Sequence, residues 1–203
     1  MDTVWQKYLD ECREEEEPIL DREFEGETLE ECSFSRLDVK RTVFRRCRFI
    51  RCSFAKADFI DCRLENCDFS NCTFSESFFQ RCIFSDCKGE GAAWEESILR
   101  SVVLERCMLP YGNFSGSKWE DCSLALCNLS NASLMQMVLR RCRFRKCDLQ
   151  CAELFKTPLR GIDLSDCEIG GITLSESLNE LKGAKVSPEQ AMDIAEMLGV
   201  KIV

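Results

Sequence analysis

The 203-residue sequence contains no histidine, only two tyrosines and only four prolines. Without histidine, the commonest general base and metal ligand is missing. No P-loop, dinucleotide-binding glycine fingerprint or nucleophile elbow occurs. Acidic residues are scattered, so paired-carboxylate catalysis has no candidate pair. The nearest approach to a zinc spacing, Cys147 and Cys151, is one residue too long for CxxC and is expected to place one thiol inside and one at a turn. No enzyme, cofactor or metal is expected. No apolar run is long enough to span a membrane, and the N-terminus MDTVWQKYLDECREEEE lacks the basic and apolar regions of a signal peptide. These absences predict a cytoplasmic chain without a membrane partner.

What is present is a strict period. Reading every fifth residue from Phe24 to Leu174 gives a hydrophobic side chain at thirty of thirty-one positions, the exception being Gly89. Neither a 3.6-residue helix nor a two-residue strand alternation places apolar residues at intervals of five, so the stretch is an internal repeat. Two residues before most of these large side chains stands a small one, cysteine more often than any other. Each pentad thus sends one large and one small residue inward and leaves polar residues between them for water. Around Gly89 and Gly91 the pattern weakens, and a bulge or distorted corner is expected there.

The cysteines reveal the coil length. Cys47, Cys67, Cys87, Cys107, Cys127, Cys147 and Cys167 recur every twenty residues, as Cys32, Cys52 and Cys72 do on another phase. Twenty residues are four pentads, so a four-sided coil stacks identical side chains above one another. Sixteen cysteines in a secreted chain would suggest a disulfide scaffold. In this setting they are read as free, buried, structural thiols. The pattern resembles the pentapeptide-repeat family, and the resemblance implies an all-β solenoid: a right-handed quadrilateral parallel β-helix with short helices at its ends.

Three segments follow. Residues 1–18 form an N-terminal capping helix, with Trp5, Tyr8, Leu9 and Cys12 on one face. Residues 19–176 form the repeat, about eight coils, and residues 177–203 form a C-terminal helix and short strand. Charge is uneven along this plan. Residues 1–31 hold thirteen acidic and three basic side chains, more negative than the whole chain's −9. Two arginine-rich runs, at 36–56 and 140–146, invite a nucleic-acid reading. Direct nucleic-acid binding is the weaker alternative, because no outward aromatics alternate with the arginines and the acidic N-terminal segment can pair with them. Asp61, Asp86, Glu90, Glu95, Glu96, Glu120 and Asp121 are the candidate outward acidic surface for a partner.

In the tail, Ser187, Pro188 and Gln190 mark a capped helix start and Gly199 its end. Ala191, Ile194, Ala195, Met197, Leu198, Val200 and Ile202 form an apolar stripe larger than a cap needs, and a homodimer through it is expected. The segments TPLRGIDLS, from Thr157 to Ser165, and LKGAKVSPEQAMDIAEMLGVKIV are similar to the C-terminal part of Qnr-type quinolone-resistance proteins. That resemblance implies tail-to-tail dimers that mimic DNA, bind DNA gyrase or topoisomerase IV, and relieve inhibition by quinolones or other topoisomerase poisons. The alternative is a cytoplasmic protein–protein interaction scaffold with another partner.

Overall fold

The computed structural model describes residues 4–202, and its body is a parallel, four-sided β-solenoid. Strands on the first side stack seven deep, from Ile19–Leu20 to Val138–Arg140, and those on the second from Glu23–Glu25 to Arg143–Arg145. The third side begins with Thr28–Glu30 on Arg48–Ile50 and continues as single bridges to Asp148↔Glu168. The fourth is a bridge ladder from Ser33↔Ser53 to Glu153↔Thr173. Every step in these ladders advances twenty residues, so the cysteine period is the coil itself.

The pentad sets the cross-section. Its large central residue and the small residue two before it point into the bore and are buried, whereas the two residues flanking the centre face water. The fifth turns the corner in the left-handed region, as in Arg41, Asp61, Asn71 and Arg106 with φ of 47°, 58°, 57° and 52°. That conformation costs a non-glycine residue roughly 1–2 kcal/mol. It is offset where the corner amide bonds the next coil, as Asp61 N–H does to Gln80 O at 2.9 Å. Inside, aromatic rings stack coil on coil: Phe54 on Phe74 at 4.6 Å and 4°, Phe59 on Phe79 at 4.8 Å and 7°. The cysteines fill the narrow positions beside them, and Cys67 Sγ donates to Phe44 O at 3.3 Å.

The bulge expected near Gly89 is not there. Lys88 bridges both Asp68 and Met108, and Gly89 N–H donates to Met108 O at 2.8 Å in unbroken register. The irregularity is one of volume. A Cβ on Gly89 would stand 2.3 Å from Phe69 Cε2 and 2.7 Å from Leu109 Cδ2, so its neighbours occupy the missing side chain's space. Gly91, at φ +64°, makes the same corner as its non-glycine counterparts.

Both ends are closed by helices. Helix α1 (Val4–Glu14) buries Leu9 and Cys12 and sets Trp5 edge-on against Phe24 at 4.9 Å; residues 1–3 of the expected capping segment lie outside the described residues. Its polar side chains replace a missing coil: Ser33 N–H donates to Gln6 Oε1 and Arg13 Nη2 donates to Ser33 O, each at 2.8 Å. Such covering protects an open sheet edge. Helix α2 (Pro188–Met197) starts in a full capping box of Ser187 and Gln190, and Gly199 ends it at φ +78°. Gln190 Nε2 also donates to Leu164 O at 2.8 Å and Cys167 O at 2.6 Å, which ties α2 to the last coil. The expected terminal strand does not form at 200–202; Val203 lies outside the described residues.

Candidate interaction surfaces

Corner residues of successive coils stack, and their charges alternate. On one corner Arg41, Arg81 and Arg141 grip Asp21, Asp61 and Asp121; on the next, Arg106 grips Asp86. Each pair spans twenty residues and is bidentate, the geometry that suits guanidinium and carboxylate. Hydrogen bonding from the arginine holds each of these four aspartates below the ordinary carboxylate range.

The predicted acidic surface is therefore divided. Asp61, Asp86 and Asp121 are exposed but occupied by arginines. Glu120 bonds Arg141 at 2.9 Å and approaches Arg100 at 3.8 Å. Glu95 accepts from Ser75 Oγ and Asn113 Nδ2, both at 2.7 Å. Glu90 and Glu96 stand exposed, on other parts of the circumference. The seven are spread over three sides and three corners and do not form one continuous acidic face.

The first arginine run is largely neutralised by the acidic coil beneath it. Arg45 pairs with Glu23 and Glu65, Arg46 with Glu25, and Arg51 with Glu30 and Glu31. Lys56 reaches Glu76 in the coil above at 3.2 Å. The second run behaves differently. Arg141 is paired, but Arg140, Arg143, Arg145 and Lys146 have no acidic oxygen within 4.0 Å among the described residues.

The apolar stripe at the C-terminal end is exposed only in part. Met197, Leu198, Val200 and Ile202 are 47%, 62%, 53% and 46% accessible, and Ala191 is also exposed. Ile194 and Ala195 are half-buried, with Ile194 packed on the core. The stripe thus divides into residues that seat α2 and residues that remain open.

The cysteine ladder is interior throughout: Cys47, Cys67, Cys87, Cys107, Cys127, Cys147 and Cys167 are all buried and free. Burial pushes the thiols of Cys52 and Cys72 up to about 12 and about 11. Cys151 is exposed at a corner with φ +57°, on the turn beyond buried Cys147. No group of three or more potential metal ligands is gathered among the described residues. No described helix is long and apolar enough to cross a membrane.

Sequence reasoning missed Gln6, Arg13 and Glu180. Glu180 is almost fully buried in the turn after the last coil. It accepts from Lys156 N–H at 2.8 Å and Ser175 Oγ at 2.7 Å. Burial raises its pKa, but the Ser175 hydroxyl and nearby amides outweigh this and hold it below the ordinary value. These polar closures carry no periodic signal.

A family model described as "Pentapeptide repeat region" matches residues 37–114 and 57–134, and one described as "Pentapeptide repeats (8 copies)" matches residues 127–166. No curated protein matches. Among solved structures, a trypsin-treated variant of QnrB1, a plasmid-mediated fluoroquinolone resistance protein, is 19% identical over 91% of this chain and 99% of its own, with a TM-score of 0.47. HetL, from the cyanobacterium Nostoc and involved in heterocyst differentiation regulation, is 17% identical over 84% and 90%, with a TM-score of 0.32.

Proposed function

The chain belongs to the pentapeptide-repeat family, and from that premise we propose that it is a non-enzymatic, cytoplasmic protein-binding rod that dimerises through its C-terminal end. The observation that carries this reading is the open apolar group Met197, Leu198, Val200 and Ile202 at one end of a body whose other large side chains are mostly sealed inside. Burying such a patch against a second copy about a two-fold axis removes it from water without another partner.

The first partner to test is a type II topoisomerase, DNA gyrase or topoisomerase IV, which the rod would shield from quinolones or other poisons. The similarity of Thr157–Ser165 and of the tail to Qnr-type proteins supports this choice. Imitation of DNA would rest on the N-terminal end of each rod, where Glu14, Glu15, Glu16 and Glu17 are exposed. Residues 32–203 carry a net charge of +1. That near-neutral shaft, with Asp61, Asp86 and Asp121 held by arginines, favours a second reading: a scaffold for some other protein.

A gyrase supercoiling assay with and without ciprofloxacin, titrating the purified protein, separates the two. Restored supercoiling in the presence of drug, weakening as salt rises, supports topoisomerase protection. Absence of both protection and inhibition by a verified folded dimer removes that partner and leaves the scaffold.

A further inference from the structure

Nearly every open end of the solenoid is closed by a main-chain or side-chain partner. At the start, Gln6 and Arg13 complete Ser33. At the finish, the third and fourth sides continue through Asp148↔Glu168 and Glu153↔Thr173, Glu180 receives the Lys156 amide, and Gln190 covers the Leu164 and Cys167 carbonyls.

Two strands are the exception. Val138–Arg140 and Arg143–Arg145 are the last in their sheets, and among the described residues no strand pairs with either on its C-terminal side. The local sequence explains the break. Pro158 falls where the next coil's amide would donate to Met137 O at the start of the first of them, as Val138 N–H does to Ser117 O one coil below, and proline has none. Thr157 intervenes as well: its Oγ1 accepts from Met137 N–H at 2.9 Å and donates to Leu134 O at 2.6 Å. The segment beyond is held from above, Leu159 N–H to Glu180 O and Gly161 N–H to Gly183 O, both at 2.8 Å. A groove of about 390 Å³ lies elsewhere, under α2; the one at this edge is about 530 Å³, with Ser123 and Ala125 as its small-residue floor and Arg143 and Arg145 along one side.

Charge says what could occupy it. Arg140, Arg143, Arg145 and Lys146, the cations without an acidic partner in the second run, lie on or beside these two strands. Arg143 and Arg145 both point outward, two residues apart on one strand, a spacing of about 6.8 Å that matches alternate side chains of another extended chain. The far lip carries Asp163, engaged by Ser165, and Asp166, so an acidic occupant is oriented with its carboxylates toward the arginines.

We propose that the free edge of Arg143–Arg145 receives an extended acidic segment of a partner protein, paired main chain to main chain, with alternate carboxylates beside Arg143 and Arg145 and the charges of Arg140 and Lys146 flanking the site. Strand addition of this kind takes its affinity from backbone hydrogen bonds and its selectivity from side chains. The site is independent of the partner engaged by the N-terminal end and of the dimerising patch.

The test uses the full chain and a fluorescein-labelled ten-residue peptide alternating glutamate and valine, read by anisotropy at low salt. Binding is expected, with the Arg143→Glu/Arg145→Glu variant about tenfold weaker, because two exposed charges are reversed. The same peptide N-methylated at alternate backbone positions should not bind. The amides of Phe144 and Lys146 should exchange slowly only in the complex. No binding of the parent peptide overturns the proposal and leaves the four cations as charges that merely keep the edge from pairing with other copies. Equal binding of the N-methylated peptide, or of single-stranded DNA of equal length, also overturns it, since charge alone would then suffice.

Discussion

Arg141 lies one coil beyond Asp121 and closes on it with two bonds, Nε to Oδ1 at 2.6 Å and Nη2 to Oδ2 at 2.8 Å. Both residues occupy the left-handed corner, at φ 54° and 55°. The same contact at the same spacing joins Arg41 to Asp21, Arg81 to Asp61 and Arg106 to Asp86. A corner that repeats every twenty residues places side chains of successive coils within reach. Opposite charges at that interval convert a steric necessity of the turn into a contact between coils.

The pairing predicts how stability follows pH. Arginine bonding lowers the folded pKa of Asp21, Asp61, Asp86 and Asp121 below its unfolded value. The stabilisation is therefore fully present above the unfolded value and lost as pH falls through the folded one. Urea midpoints should be level from about pH 7 to 5 and decline below about pH 4. The pairs are exposed, so each contributes little, and the measurable effect is collective. Replacing all four aspartates by asparagine should flatten the decline; an unchanged acid limb would show that the ladder adds nothing.

Much of this architecture was legible in the sequence because the solenoid obeys a one-dimensional rule. The five-residue phase of Phe24 to Leu174 marked the interior, the cysteine series marked the coil, and Ser187, Pro188, Gln190 and Gly199 marked α2. Charge was harder to place. Asp61 and Arg81 are twenty residues apart, and only the corner geometry shows that an acidic candidate and a basic neighbour occupy each other. Glycine at position 89 looked conformational because volume and backbone freedom are indistinguishable in one letter. The closures by Gln6, Arg13 and Glu180 are single events at the ends of a repeat, where periodicity carries no information.

Gly89 supplies a packing test. Phe69 and Leu109 already fill the space above its Cα, at distances a Cβ could not tolerate. Gly89→Ala should destabilise the protein by about 1–3 kcal/mol through overpacking, read from urea denaturation. Trimming Phe69 to leucine in the same chain should relieve part of that cost, so the double variant should be more stable than the sum of the single changes. Strict additivity would mean that the clash is taken up elsewhere.

Thiol chemistry should distinguish inside from corner. Fifteen of the cysteines are buried and Cys151 is exposed. Burial raises Cys52 and Cys72 to about 12 and about 11, which leaves little reactive thiolate at neutral pH. Native protein at pH 7.5 should react rapidly with one equivalent of maleimide, and Cys151→Ser should abolish that fast step. The full sixteen should appear only in denaturant. Several fast equivalents in the native protein would show that the bore opens.

The C-terminal patch gives a test in which folding and assembly separate, because its residues differ in burial. Leu198 is 62% exposed at the end of α2, whereas Ile194 packs against the core. A charge at Leu198 therefore meets water in the single chain and is buried only if a second copy covers it. Leu198→Glu should keep the wild-type urea midpoint measured at concentrations where both proteins are monomeric, yet abolish association. Light scattering should fall from twice the 23.4 kDa chain mass to that mass. Ile194→Glu should also dissociate the dimer, but with a fall in monomer stability of about 1–3 kcal/mol from burying a charge beside apolar side chains. If Leu198→Glu still scatters as a dimer, the contact lies elsewhere on the rod, and the open end of α2 must be assigned to a different partner.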